Sequence, residues 1–314
     1  MKSNDKGFSG WSQLAILLGL LGISIIISGV ISIGIWKLMT HGSIFNMQTD
    51  MMKPENATAV QVLQSVSTFF TLFFPGVVFS LICYRRSFKF LGYQQEIIPR
   101  QLLIIFLIML CSMPLISALQ DLNKMIPIPS HWKATFDRME KKYSEQIEII
   151  AQVKNWGQYI VSLIVIAFLP AVFEETFFRG ALQNMLVRWW KSPWAAIIVT
   201  SILFSAIHLS WYGFMARAAL GILLGAIFYY TKSLWLSIAA HFINNATYVT
   251  IMFALSRSGK PIDPNSAEPH IPMWAGLISL AIVFLLLVSL IRSTPAPSDE
   301  FLTETDNPFE NETV

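Results

Sequence analysis

Eight stretches of this 314-residue chain are long and apolar enough to cross a lipid bilayer, and no other feature limits its fold so tightly. They cover residues 12–36, 60–83, 101–119, 156–173, 194–211, 214–230, 234–255 and 273–291. A spanning helix needs about 20 apolar residues. Hydrocarbon permits only helices or closed barrels, and these runs are too long for barrel strands. The expected fold is therefore all-α: a polytopic membrane protein with about eight transmembrane helices. Composition agrees, since 54% of the residues are hydrophobic and 13% are charged, where a soluble domain carries about 25% charge. Trp11, Trp36, Trp156, Trp194, Trp211, Trp235 and Trp274 sit near run ends, as an interfacial aromatic belt predicts.

The first run follows Lys2 and Lys6 and is too long for a signal-peptide core, so it reads as a retained span. Lys and Arg in short loops set orientation. Arg85, Arg86, Lys89 and Arg100 follow the second run, Arg188 and Lys191 the fourth, Lys232 the sixth and Arg292 the last. That bias places both termini in the cytoplasm, and the protein in the plasma membrane if the source is bacterial. The net charge of +3 and the lack of a basic arm give no sign of a nucleic-acid partner. Cys83 and Cys111 both lie in apolar runs, which excludes a disulfide framework and a cysteine-rich metal site.

Two segments differ from the spans. Between residues 120 and 155, Trp132, Phe136, Met139, Tyr143, Ile147, Ile150 and Val153 recur every three or four positions. Lys133, Asp137, Arg138, Lys141, Lys142, Glu145 and Glu148 fill the other face. That is the pattern of an amphipathic helix lying at the membrane surface, either as packing or as a substrate lid. Residues 293–314 are acidic and read as a disordered tail. The chain divides into N-terminal transmembrane helices with the amphipathic helix (1–155), a core carrying the chemistry (156–256), a last transmembrane helix (257–292) and the tail (293–314).

Ionisable groups at membrane depth are rare and usually functional. The fourth run ends in Glu174, Glu175 and Arg179. Glu175 and Arg179 are four apart, share a helical face and can neutralise each other. Glu174 points about 100° away and is left to face something else. Two of the five histidines, His208 and His241, fall inside apolar runs. Glu174 and His208 are each seventeen residues from Lys191, so a helical hairpin sets them at one level, about 25 Å from the turn. His241 and Asn245 share a face, as do Phe204 and His208, whereas Thr176 and Asn244 fall off those faces. The candidate catalytic set is Glu174, His208, His241 and Asn245, with Glu175 and Arg179 as structural support.

Such a set permits more than one chemistry. A glutamate held by a histidine can activate water as general base, while a second histidine and an asparagine stabilise an oxyanion. Alternatively, Glu174, His208, His241 and Asn245 bind a divalent metal such as zinc. The cofactor is thus either none or zinc, and asparagine, a weak zinc ligand, tilts the choice toward none. A His-Glu-x-x-His motif and a Gly-x-Ser-x-Gly elbow are absent. Arg217 lies where the fifth and sixth runs meet, as an interfacial cation or as an ion-pair partner of the site. Gly221-x-x-x-Gly225 permits close helix approach.

At these residues the chain resembles a known family. Glu-Glu-x-x-x-Arg at Glu174–Arg179, Phe-x-x-x-His at Phe204–His208 and His-x-x-x-Asn at His241–Asn245 are similar to the three motifs of the CAAX protease and bacteriocin-processing (CPBP, or Abi) family, in that family's order. The resemblance covers roughly residues 156–255. It implies an intramembrane glutamate protease fold of the CAAX-protease type. It also implies an endopeptidase, commonly labelled a metalloendopeptidase, that cuts a membrane-associated peptide or protein by water activated on Glu174. In that reading His208 helps hold the water, and His241 and Asn245 stabilise the oxyanion. Its partners are the substrate and membrane lipids. Prenylated CAAX tails or bacterial leader and bacteriocin precursors are the expected substrates. Two other readings compete: a non-catalytic scaffold or self-immunity protein of the same fold, and a transporter with a Glu–His proton relay, for which the expected internal repeat is not visible.

Overall fold

The computed structural model describes residues 6–150, 155–257 and 271–294, and the described residues are helical with no strand. His270, Val153 and the acidic tail from residue 295 onward lie outside them, as do the side chains of Ile147, Glu148 and Ile150. Among the described residues, seven helices are long and apolar enough to cross a membrane. They are α1 (Gly10–Thr40), α2 (Pro54–Cys83), α3 (Pro99–Met125), α5 (Trp156–Trp190), α7 (Phe214–Thr231), α8 (Leu234–Arg257) and α9 (Met273–Ser293). The amphipathic helix α4 (Ser130–Ile150) precedes α5, and a short apolar helix α6 (Pro193–Ala206) precedes α7.

Local chemistry explains most of these boundaries. The Ser9 side chain accepts from the Ser12 amide to start α1, and Asn155 accepts from Gln158 to start α5. Pro193 opens α6, where its missing N–H costs nothing. His41, Lys191 and Lys232 end their helices in the left-handed region. Besides the π-helical stretch Thr176–Gln183 in α5, two others interrupt the spans, Phe69–Phe73 in α2 and Leu163–Phe168 in α5. Each closes on a bond to a carbonyl five residues back, Phe74 to Phe69 and Leu169 to Ile164, directly before Pro75 and Pro170. Proline offers no N–H to the carbonyl four residues behind it, and the wider turn accommodates that loss. On α3, Pro114 is followed by a side chain inserted in the ladder: Ser279 of α9 donates to the Cys111 carbonyl and accepts from the Leu115 amide.

The fifth run, 194–211, is not one helix. It ends at Ala206, and residues 207–213 form a turn with Leu209 in the left-handed region. Irregular backbone among membrane helices needs internal partners for its polar groups, and neighbouring side chains supply them. Asn123 donates to the Trp211 carbonyl and accepts from the Met215 amide, both at 2.9 Å. Arg217 donates to the Ser210 carbonyl at 2.6 Å. Gly221 and Gly225 let α7 close on its neighbours. A β-carbon on Gly221 would stand 2.9 Å from that of Ser201 on α6, and one on Gly225 would stand 2.6 Å from Gln183 Oε1 on α5. The Gly-x-x-x-Gly pair therefore serves packing within the chain. The aromatic belt is only partly present: Trp11, Trp156 and Trp274 are exposed, but Trp36 is buried against Ala59, Val60 and Leu63.

Candidate active site

A cavity of about 440 Å³ opens between α3, α4, α5, the 207–213 turn, α7 and α8. Glu174, His208, His241 and Asn245 all line it, so four residues from three separate sequence motifs share one space. Glu175 and Arg179 do not line it. They lie behind it, fully buried.

The buried acid organises this wall. Arg179 Nη1 donates to Glu175 Oε1 at 2.6 Å, the i, i+4 pairing that the sequence predicts. Arg179 also donates to the Gly221 carbonyl at 3.1 Å and packs 4.6 Å from the Phe204 ring centroid. Glu175 takes two further donors from α8: Ser237 Oγ at 2.6 Å and His241 Nδ1 at 2.9 Å. A carboxylate can only accept, so Nδ1 carries the proton and Nε2 is turned toward the cavity. Glu174 Oε2 lies 3.9 Å from that Nε2, beyond hydrogen-bond reach. Glu174 Oε2 is itself buried and has no hydrogen-bond partner among the described residues. Glu174 and Glu175 flank His241, but only Glu175 binds it.

His208 sits in the turn after α6, not within a helix as expected, because α6 ends two residues before it. Its Nδ1 still reaches the Phe204 carbonyl at 2.8 Å, which puts the proton on Nδ1 and leaves Nε2 as an acceptor. The Phe204 ring lies between the two imidazoles, 5.1 Å from His208 and 5.7 Å from His241, both edge to face. Asn245 donates to the Ile166 carbonyl at 3.4 Å and accepts from Asn244 Nδ2 at 3.1 Å.

Sequence reasoning missed two participants. Asn244, set aside as off the face, lines the cavity; its place three residues after His241 is the signal, since i and i+3 are neighbours on a helix. Ser237, four residues before His241, is the second. Arg217, which the sequence offered as an interfacial cation or an ion-pair partner of the site, also lines the cavity. An ion pair between Arg217 and a site carboxylate is not found among the described residues. Thr176 is buried elsewhere and shares a hydrogen bond of 2.6 Å with Tyr93.

The amphipathic helix covers one side of the cavity, to which it contributes Glu140, Tyr143 and Ser144. Its polar face is not simply solvated. Asp137 accepts from Tyr212 at 2.6 Å, Glu140 accepts from Ser210 at 2.7 Å, and Phe136 stacks on Trp211 at 5.0 Å. All three grip the turn that carries His208.

The donor set does not fit a metal as it stands. Among the described residues no three His, Cys, Asp or Glu side chains converge as a ligand group. Asn245, a weak ligand in any case, is held by Ile166 and Asn244.

Residues 156–247 match the family model described as type II CAAX prenyl endopeptidase Rce1-like. The resemblance carried by the three motifs is thus found again across the segment that holds all four cavity residues. The chain is also similar to the uncharacterized protein YpbD of Bacillus subtilis (strain 168), 31% identical over 93 residues, covering 28% of this chain and 44% of that protein. The chain therefore spans less than half the length of that relative. No solved structure matches it.

Proposed function

We propose that this chain is an intramembrane endopeptidase that hydrolyses a peptide bond of a membrane-associated substrate with water activated by Glu174. The observation that carries this reading is the state of Glu174: a carboxylate oxygen buried in a cavity without a hydrogen-bond partner, facing His241 across 3.9 Å. A buried acceptor left unsatisfied is costly, and a water in that space relieves it while placing the nucleophile.

In the mechanism we favour, water donates one hydrogen to Glu174 and the other to His208 Nε2. Glu174 takes the proton as hydroxide attacks the scissile carbonyl. The resulting oxyanion is stabilised by Asn245 and by His241, which donates through Nε2 only as the imidazolium. Glu175 supports that charged form from behind by accepting at Nδ1. Glu174 then passes its proton to the leaving amine as the carbon–nitrogen bond breaks. No step runs through a metal, because the donors as arranged do not gather around one.

The apolar helices make the protein an integral membrane protein, and the loop charges orient both termini to the cytoplasm. Its substrate is a peptide or membrane protein reaching the cavity from the bilayer. A prenylated CAAX tail suits a eukaryotic source, and a leader peptide or bacteriocin precursor suits a bacterial one. Purified protein reconstituted in lipid vesicles, incubated with such peptides and read by mass spectrometry, tests the proposal. Wild type cleaves and Glu174→Gln does not, while insertion and yield are unchanged. Full activity in Glu174→Gln overturns it.

A further inference from the structure

The cavity holds a charged group that the proposed chemistry does not use. Arg217, near the start of α7, lines it together with Glu174. Its Nη2 holds the Ser210 carbonyl, and its guanidinium carbon lies 5.5 Å from the Tyr143 ring centroid. It packs so closely over Gly213 that a β-carbon there would stand 2.5 Å from Nη1. Its Nε is buried with no hydrogen-bond partner among the described residues. Among the described residues no carboxylate pairs with it. Glu140, the acid nearest in role because it lines the same cavity, uses its Oε2 on Ser210.

A half-buried cation with no carboxylate at ion-pair distance is costly. Guanidinium offers its donors in a fork whose geometry matches a carboxylate. Opposite charges at separate points of one cavity also orient whatever enters: Glu174 repels an anionic group and Arg217 attracts it. We propose that Arg217 forms an anion subsite that takes a carboxylate of the peptide substrate and thereby sets which bond is presented to Glu174. This rests on the endopeptidase reading for the nature of the ligand. The carboxylate comes from a free C-terminus or from an acidic side chain, and the chemistry at Arg217 is the same for both.

The test is a binding measurement on the Glu174→Gln protein in detergent, so that it does not depend on turnover. The probe is a short fluorophore-labelled peptide of alternating Leu and Ala, made in three forms. One has a free C-terminus, one a C-terminal amide, and one a C-terminal amide with an internal aspartate. At least one anionic form binds roughly tenfold tighter than the neutral amide, the effect of a single charge-assisted hydrogen-bond pair, and the form that gains identifies the source. Adding Arg217→Gln removes the difference and leaves the affinity of the neutral peptide unchanged, whereas Arg217→Lys keeps part of it. Equal affinities for all three peptides overturn the subsite, as does the absence of any binding. A loss in Arg217→Gln that is equal for all three overturns it too, because that is the result of a purely structural hold on Ser210. Selective binding in Glu174→Gln, with no cleavage of any peptide by protein with Glu174 intact, keeps the subsite and rejects the peptidase.

Discussion

His241 is bound by Glu175 and only approached by Glu174: its Nδ1 lies 2.9 Å from Glu175 Oε1, and its Nε2 lies 3.9 Å from Glu174 Oε2. The two adjacent acids therefore do different things with one imidazole. Glu175 is tied into the protein through Arg179, Ser237 and His241, whereas Glu174 is left for the cavity. Residues joined in one network do not contribute independently, and the first prediction uses that.

Glu175→Gln still offers an acceptor to His241 but no negative charge to support an imidazolium. Turnover falls in Glu175→Gln, and falls about 10²–10³-fold in His241→Ala, the usual effect of losing one oxyanion donor. The double variant is no slower than His241→Ala alone, because Glu175 acts through His241. Steady-state kinetics on the three variants, each checked for folded yield, decide this. A double variant that loses the product of the two single effects shows that the residues act separately.

Arg179 and Ser237 both serve Glu175, with unequal consequences. Arg179→Ala leaves a buried carboxylate without its countercharge and costs about 3–5 kcal/mol, on the precedent of broken buried pairs. Ser237→Ala removes one bond from a carboxylate that keeps two other donors, and costs about 1.5–3 kcal/mol. Thermal unfolding in detergent places wild type above Ser237→Ala and Ser237→Ala above Arg179→Ala, with folded yield in the same order. Unchanged stability in Arg179→Ala with turnover lost assigns Arg179 to the chemistry instead.

Elemental analysis of active, purified protein finds no stoichiometric zinc, and chelation leaves cleavage intact. The expectation follows from the arrangement of donors: among the described residues no three His, Cys, Asp or Glu side chains converge as a ligand group. One equivalent of zinc that leaves with activity, and restores it on return, reverses the choice while keeping the same four residues.

Lys232, in the loop after α7, supplies a pH dependence. Burial, with repulsion from Arg188 second, pushes its ammonium down to about 8, against 10.5 for the free side chain. Between those values the unfolded chain holds a proton that the folded chain has released, so stability rises with pH across that window. The unfolding midpoint of wild type rises more between pH 8 and 10 than that of Lys232→Met. Parallel profiles show that Lys232 contributes nothing.

Much of this protein is determined locally. Runs of about 20 apolar residues must become helices in a bilayer, so the spans were legible, as were the i, i+4 pairing of Glu175 with Arg179 and the order of the three motifs. What the sequence left open depends on contacts between segments far apart in the chain. The run 194–211 is apolar enough to read as one span, yet it breaks at Ala206 because Asn123 and Arg217, on other helices, satisfy the freed backbone of the turn. The sequence left α4 as packing or a lid; its acids hold the turn beside the cavity, since only docking brings Asp137 to Tyr212 and Glu140 to Ser210.

The helical arithmetic that separated Glu174 from Glu175 assumed an unbroken α-helix. In α5 the two acids lie between π-helical stretches, Leu163–Phe168 and Thr176–Gln183, whose wider turns shift the phase of every residue beyond them. Residue type and spacing named Glu174, His208, His241 and Asn245. The rotation of α5 against α7 and α8, fixed by Arg179 on the Gly221 carbonyl and Ser237 on Glu175, decided which acid binds His241 and which is left to face the cavity.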